Sequence, residues 1–425
     1  MPPAAPGDEG RRFILEFRSS PEILAYVNGA ELHDYGQRGV VTPDHVLRSK
    51  NRPLLLPAPR AGELDAFKTA VDAAVADYVA HYEATFTREN ARCGCNKIKL
   101  DSMPRIALVP GVGLFGLAGT AKEAAIAADL AENAVRVVTD AEAIGRFQPL
   151  VEADAFDVEY WSLEQAKLKG AVVKSFTGQV AVITGGGSGI GRATALAFAA
   201  EGASIAVLER DAAAAQRTAR EVQGLGLACD VTAPHALRAA FARVAERFGG
   251  VDILIANAGA AWQGKIGEVE DATLRASFEL NFFAHQTAAQ EAVRIMLQQG
   301  TGGILLFNIS KQAVNPGPDF GPYGVAKAAT LALMRQYAVD YGAAGIRANG
   351  VNADRVRSGL LNEELLGMRA TARGLSKEQY MRGNLLGREV AAADVAQAFV
   401  ALAKARATTG HVATVDGGNV AAALR

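Results

Sequence analysis

Cysteine is scarce: only Cys93, Cys95 and Cys229 occur in 425 residues, too few for a disulfide framework. Cys229 follows an apolar run, where a buried thiol is expected, and Cys93-Gly-Cys95 reads as a loop, because two thiols without a second pair are a weak metal signal. Neither sign of charge is in excess. The 44 Lys and Arg against 45 Asp and Glu give a formal net charge of -1, and no basic run exceeds a few residues, so there is no field to draw a polyanion and nucleic acid is not an expected partner. Apolar runs of about eighteen residues or more are missing, which excludes a membrane helix. The Pro/Ala/Gly-rich stretch Met1 to Gly10 lacks the basic-then-apolar order of a secretory signal. A cytoplasmic protein with neither a membrane nor a nucleic-acid partner is expected.

What is present is apolar and finely divided. Half the residues are hydrophobic and 21% are charged, with much Ala and Gly, a composition suited to helices packed closely on a parallel sheet. The length exceeds one ordinary core, so two domains are expected. Residues 1–12 read as a disordered tail, 13–150 as a smaller α/β domain, 151–175 as a connector and 176–425 as a second α/β domain. In the first domain, apolar residues from Ala66 to Tyr82 recur at three- and four-residue steps, predicting a helix over Glu63 to Asn90. A buried strand at Arg105 to Val109, a Gly-rich turn at Gly111 to Gly116 and a helix from Ala121 to about Ile144 follow. In the second, short apolar runs (Val180 to Thr184, Ser204 to Leu208, Asp252 to Ala256, Gly303 to Ile309, Ile346 to Val351, Val412 to Val415) alternate with helical segments. That order implies parallel pairing through right-handed crossovers, hence a Rossmann-type doubly wound sheet.

The first of these runs leads into Thr184-Gly-Gly-Gly-Ser-Gly-Ile-Gly191 and then a helix. Gly185, Gly187, Gly189 and Gly191 let the backbone turn tightly and approach a pyrophosphate, while Ser188 and Ile190 sit where the helix N-terminus offers free N–H groups and a positive dipole end. The second run ends in Glu209-Arg210, and an acid at this distance from the glycines is placed to accept hydrogen bonds from ribose hydroxyls and to repel a 2'-phosphate. Arg210 works partly against that repulsion, so NAD is the expected cofactor with NADP possible. Cys229-Asp230-Val231 ends a further strand, the third in chain order, ahead of the Asp252 run, and Asp230 and Val231 either flank the adenine or, for Asp230, cap the next helix.

Asn257-Ala258-Gly259 follows the fourth strand, at the edge where open parallel sheets bind ligands. Asn281 lies in a helix, Ser310 after a strand, and Tyr323-Gly-Val-Ala-Lys327 opens a further helix. Residues four apart share a helix face, so the ammonium can lie beside the phenol and draw its pKa down towards the working range of a general base. The order and spacing of these groups, with Thr409-Gly-His-Val-Ala-Thr-Val-Asp-Gly-Gly418, resemble the short-chain dehydrogenase/reductase family over about Phe176 to Arg425. The resemblance implies hydride transfer between a carbinol carbon and a nicotinamide. Tyr323 would move the carbinol proton, Lys327 would lower its pKa and bind the nicotinamide ribose, Ser310 would hold the substrate oxygen, and Asn281 would order a relay water. A homo-oligomer, dimer or tetramer, and a small-molecule substrate are expected with it. Two registers are open for the serine role: Ser310 stands thirteen residues before Tyr323, whereas aligning Asn308-Ile-Ser-Lys311 on the strand puts Lys311 there; the spacing favours Ser310. Asn352, Asp354 and Arg355 stand where most members have Pro-Gly, and either contact a hydroxylated or anionic substrate or form a salt-linked loop. Residues Arg357 to Arg388 read as a substrate lid.

The chain also resembles proteins that join a class II sugar-phosphate aldolase to a short-chain dehydrogenase. The shared segments are Thr42 to Lys50, Val109-Pro-Gly-Val-Gly-Leu-Phe-Gly116, Thr120 to Ala128, Phe156-Asp-Val-Glu-Tyr-Trp161 and Asn315 to Pro322. The resemblance implies sugar-derived chemistry of the kind associated with rhamnulose-phosphate cleavage and lactaldehyde metabolism. An aldolase metal centre needs a His-x-His pair with a third His. Here His33, His45 and His81 are scattered, so no metal is expected and the first domain reads as a non-catalytic, aldolase-related unit. An NAD(H)-dependent oxidoreductase acting on a small hydroxylated alcohol of sugar, polyol or hydroxyaldehyde type is the expected function. The alternatives are a carbon-carbon lyase in the first domain and a dinucleotide-binding scaffold or sensor without turnover.

Overall fold

The computed structural model describes residues 12–94, 97–163, 166, 173–357, 361 and 363–419. The expected tail except Arg12, Cys95, most of the connector beyond Gln165, and part of the expected lid at 358–360 and 362 lie outside the described residues. The chain forms two compact units, Met1–Val173 and Lys174–Arg425. Among the described residues no helix is long and apolar enough to cross a membrane.

The first unit is built on a four-stranded sheet of β1 (Ile14–Arg18), β2 (Leu54–Leu55), β3 (Ile106–Val109) and β4 (Gly113–Ala118), in spatial order β1-β4-β3-β2. Helix α1 (Pro21–Val27) is capped by Ser20, whose hydroxyl accepts from Ile23 N, and the 29-residue α2 (Leu64–Arg92) follows the half-buried stripe that the spacing predicts. Helix α3 (Ala121–Ile144) lays Ala124, Ala128, Ala131 and Val135 on the sheet. The stretch Gly111 to Gly116 is not one turn. Only Pro110 to Val112 turns, Val112 N donating to Val109 O at 3.1 Å, and Gly113 opens β4. The glycines serve close approach instead: a Cβ at Gly116 would overlap the Ala124 carbonyl oxygen and come 2.7 Å from Ala128 N, so α3 could not lie on the strand. Glu152–Glu159, expected in the connector, forms α4 and belongs to this unit. Ala155 and Phe156 are buried, and Glu159 accepts from the buried Lys50 ammonium at 3.0 Å.

The second unit holds seven parallel strands: β5 (Val180–Thr184), β6 (Ser204–Glu209), β7 (Leu225–Ala228), β8 (Ile253–Ala256), β9 (Gly303–Asn308), β10 (Ile346–Ala353) and β11 (Val412–Val415). Their order, β11-β10-β9-β8-β5-β6-β7, reverses direction between β5 and β8, which opens a crevice at the C-terminal strand ends there. Between them run α5 (Gly189–Ala200), α6 (Ala212–Glu221), α7 (Pro234–Phe248), α8 (Asp271–Phe278), α9 (Ala284–Gln299), α10 (Gly321–Tyr341), α11 (Glu363–Thr371), α12 (Lys377–Met381) and α13 (Ala392–Lys404). The core sits around fully buried Phe198, Phe241, Phe307 and Phe399. Helix α7 goes unmarked in the alternation of runs, although Leu237, Phe241, Val244 and Phe248 bury one face at helical spacing. The helical segment around Leu274 to Leu297 is also not uniform: Glu279–Phe283 winds as a π-helical turn between α8 and α9, and Asn281 lies inside it.

Candidate active site

Strand β5 delivers the chain into the glycine turn at the crevice. Gly185 and Gly189 take φ of +63° and +50°, where a side chain is strained, and Ser188 is extended at the N-cap of α5 with no side-chain capping bond, leaving the first amides of the helix open. A Cβ at Gly191 would overlap the Gly185 carbonyl oxygen and come 2.7 Å from Asn257 Nδ2. Gly187 is closed in the same way, 2.7 Å from Glu209 Cγ. Gly187 and Gly191 therefore shape the turn, while Gly185, Ser188, Gly189 and Ile190 line a cavity of about 1070 Å³. Glu209 folds its carboxylate back over the turn, accepting from Gly187 N at 3.2 Å and Arg210 N at 2.8 Å, and still lines the cavity with Arg210. Asp230 and Val231 line it too. Asp230 does not cap α7, whose N-cap is Ala233; its carboxyl accepts from Thr232 Oγ1 and N, bonds that hold its pKa below the usual carboxylate range.

Across the switch point, Asn257, Ala258 and Gly259 are fixed by groups that the motif spacing does not reveal. Buried Thr184 Oγ1 accepts from Asn257 N at 2.9 Å and Ala258 N at 3.1 Å. Asn257 Nδ2 donates to the carbonyls of Thr184 and Gly185, and its Oδ1 accepts from Asn308 Nδ2 at 2.9 Å. His285 Nε2 bonds Ala258 O at 2.8 Å; burial first, then the charge of Lys327, pull the imidazole down to about 3, so it stays neutral. Gly259 has no room for a side chain, since a Cβ would lie 2.8 Å from Asn281 Oδ1.

Of the four residues expected to do chemistry, Ser310, Tyr323 and Lys327 line the cavity, while Asn281 lies buried behind Gly259 and off its wall. Asn281 is fully buried; its Nδ2 donates to Ala260 O at 2.8 Å and Ser277 Oγ at 3.3 Å, its Oδ1 has no partner, and its carbonyl accepts from Thr330 Oγ1. Tyr323 sits in the first turn of α10, with Pro322 beside it, and its side chain lines the cavity together with Ser310. Lys327 follows one turn later and donates from Nζ to Asn308 O at 2.9 Å. Burial pulls its ammonium down to about 7. The spacing puts the ammonium beside the phenol, and it lies 6.0 Å from the ring centroid. Burial nevertheless raises the Tyr323 pKa, and the influences that oppose it are the Ser310 hydrogen bond and the charge of Arg369 rather than Lys327.

Of the two serine registers, the one with Ser310 meets Tyr323. Lys311 points to Asp354, pairing with Oδ2 at 3.1 Å, and does not line the cavity. Asn352 corrects the expectation of a substrate contact: β10 runs on to Ala353, so Asn352 is buried within the sheet, off the cavity, with Oδ1 unpaired. Asp354 and Arg355 do line the cavity, but as a salt-linked loop. Asp354 Oδ2 also accepts from Asn419 at 2.6 Å, and Arg355 donates to Tyr380 O at 2.7 Å with its guanidinium 4.4 Å from the Tyr380 ring centroid. Trp262, which no motif marks, also lines the wall, with Phe320 of the shared segment Asn315 to Pro322 and Leu361 and Arg369 of the expected lid. Among the described residues no group of three or more His, Cys, Asp or Glu could hold a metal; the Cys93 thiol donates to Asp157 Oδ1 at 3.3 Å, and His81 lies 3.6 Å from Glu152.

Two family models match. Residues 4–168 match "Aldolase class II, second domain", and residues 185–419, more than half the chain, match "Enoyl-(Acyl carrier protein) reductase". The chain is 32% identical over 434 residues to "Uncharacterized oxidoreductase YuxG" of Bacillus subtilis, an alignment that takes in 98% of this chain and 63% of that protein's length. It is 33% identical over 258 residues, 58% of this chain and 96% of the relative, to "(-)-isopiperitenol/(-)-carveol dehydrogenase, mitochondrial" of Mentha piperita. Among solved structures, 3-ketoacyl-(acyl-carrier-protein) reductase from Brucella melitensis complexed with NADH superposes with a TM-score of 0.52 at 27% identity, covering 57% of this chain and 98% of that one. With its seven-stranded parallel sheet, glycine turn and Ser310, Tyr323 and Lys327 at the crevice, the chain belongs to the short-chain dehydrogenase/reductase family of NAD(P)-binding oxidoreductases and carries an aldolase-like N-terminal domain.

Proposed function

We propose that the chain is an NAD(H)-dependent oxidoreductase that interconverts a small hydroxylated alcohol, of sugar, polyol or hydroxyaldehyde type, and its carbonyl, with Tyr323 as general acid/base. The observation that carries this reading is that Ser310, Tyr323 and, one helical turn on, Lys327 line one cavity in the crevice at the C-terminal strand ends. The residues present suit a dinucleotide. Open amides at the start of α5 face the cavity for a pyrophosphate, Asp230 and Val231 lie at the adenine end, and Lys327 lies at the nicotinamide-ribose end. When bound, the cofactor supplies the hydride acceptor for alcohol oxidation. Ser310 holds the substrate oxygen, Tyr323 removes the carbinol proton as the hydride leaves the carbon, and Asn281 in its π-helical turn supports a relay of that proton towards Lys327.

Glu209 supports NAD over NADP: its carboxylate lies over the turn where a 2'-phosphate would come, and Arg210 beside it is the one feature favouring NADP. The first unit, Met1–Val173, is read as non-catalytic, and the second, Lys174–Arg425, as the dehydrogenase. Exposed Phe283 in the π-helical turn and Val325 and Val339 on α10 support a homo-oligomer, and the balanced charge supports a small-molecule substrate met in the cytoplasm. The test is a panel of small hydroxyaldehydes, polyols and deoxysugars with NAD+ and with NADP+, followed by formation of reduced nicotinamide. Turnover of the hydroxylated compounds with NAD+ is expected. Preference for a bulky apolar alcohol such as a steroid would contradict the substrate class, and absence of any turnover would contradict the reaction.

A further inference from the structure

Among the described residues, one cation on the cavity wall has neither a hydrogen-bond acceptor nor an ion-pair partner. Arg369, on α11, lines the wall beside Ser310 and Tyr323, and its guanidinium lies 4.0 Å from the centroid of the Phe320 ring. No carboxylate among the described residues pairs with it, no acceptor takes its N–H groups, and its Nε is buried without a partner. Every other cation of the cavity differs. Lys327 donates to Asn308 O, Arg355 donates to Tyr380 O and flanks Asp354, and Arg210 stands at the opposite, adenosine end. A guanidinium with a buried, unsatisfied N–H costs stability unless something supplies the acceptor, and the planar fork fits the two oxygens of a carboxylate.

The position says which part of a substrate it meets. Phe320 bridges Arg369 and the reacting end: its ring is also 6.4 Å, centroid to centroid, from that of Tyr323, edge to face. An anion on Arg369 and a carbinol under Tyr323 therefore fall within one molecule a few carbons long. A single guanidinium, with Asp354 and Glu279 also on the cavity wall, balances one negative charge rather than the two of a phosphate ester.

We propose that Arg369 is a specificity-determining residue that seats the carboxylate of a short hydroxy acid, so that the substrate class is a polyhydroxy acid rather than a neutral polyol. This rests on the dehydrogenase reading above. The carbinol of the hydroxy acid is oxidised to the oxo acid, its C–H hydride passing to NAD+ and its hydroxyl proton to Tyr323. The carboxylate is untouched and acts only as the handle.

The experiment compares three- to six-carbon aldonates with the matched polyols and polyol phosphates, in the full chain with NAD+, and separately titrates the aldonates into the complex with NADH. In the wild type the best aldonate is expected to exceed its polyol by about a hundredfold in kcat/KM, the scale of one charge-assisted fork. Arg369→Met is expected to reduce that ratio to below about tenfold, and Arg369→Lys to fall between, since a lysine restores charge without the fork. Arg373→Met, four residues on, just past the end of α11 and outside the cavity, is the control and keeps the wild-type ratio. Equal use of aldonate and polyol, or an aldonate preference that survives Arg369→Met, overturns the proposal; a phosphate preferred to the carboxylate overturns the assignment of the anion. The titration separates the two claims. Arg369-dependent binding of an aldonate without turnover supports the anion seat and refutes the dehydrogenase reading, whereas turnover of polyols with no aldonate binding does the reverse.

Discussion

Thr184, the last residue of β5 and the first of the glycine motif, holds the loop that carries Asn257 and Ala258, although it is not among the reacting groups. Its Oγ1 is the acceptor for two part-buried backbone amides, at 2.9 and 3.1 Å. Thr184→Val is nearly isosteric, so the packing of a fully buried strand end is preserved and only the acceptor is lost. Each orphaned amide then costs about 1–3 kcal/mol, and the loop relaxes until water or another carbonyl reaches it. Local opening should become easier by roughly tenfold to a hundredfold, at about 1.4 kcal/mol per factor of ten. Hydrogen exchange of the amides of Asn257 and Ala258, read by mass spectrometry on peptides spanning 253–262, is the assay. Faster exchange there, with little change at β9, is expected, together with weaker NADH binding. Exchange at 257 and 258 equal to the wild type would refute the role assigned to the hydroxyl.

Gly191→Ala is expected to abolish NADH binding while the chain stays folded, because the methyl overlaps the Gly185 carbonyl oxygen; calorimetric titration checks it. Glu209→Ala should narrow the gap between NADH and NADPH by removing repulsion, and tighter binding of NADPH than NADH by the wild type would contradict the assignment. Burial pulls Lys327 from 10.5 down to about 7. The unfolded chain then binds more protons than the folded one above that value, so this group's penalty is full below about pH 7 and lifts as pH rises towards 10.5. Between pH 7 and 9, below the range where Cys229 at about 11 begins to act in the opposite sense, denaturant midpoints of the wild type should rise more than those of Lys327→Met. Parallel pH profiles would show that the ammonium is not desolvated.

Much of the second unit is legible because its signals are local. Each strand is a short apolar run, the glycines lie within one turn, and Tyr323 and Lys327 share one helix face. What escapes depends on distant pairing. Thr184 and Asn257 meet across 73 positions, and Asn257 and Asn308 across 51, only because their strands are neighbours at the switch point. His285 reads as an ordinary helix residue until its ring is found under Ala258. Arg369 lies in the segment read as a substrate lid, but nothing in that reading singles it out, and its position over Phe320 does. Asn352 goes the other way, since two further residues of β10 turn it into the sheet. In the first unit, Gly113 and Gly116 look like turn glycines because a turn and a close helix approach ask for the same missing Cβ.

The most direct test of the whole account is Tyr323→Phe, which removes one oxygen and leaves the ring, the cavity and the glycine turn in place. Turnover of the best alcohol with NAD+ should fall by about a hundredfold to ten-thousandfold, the range of a general acid/base, while the dissociation constant for NADH changes little. Turnover within about tenfold of the wild type, with NADH still bound, would contradict it, because the proton would then have to leave by a group other than Tyr323.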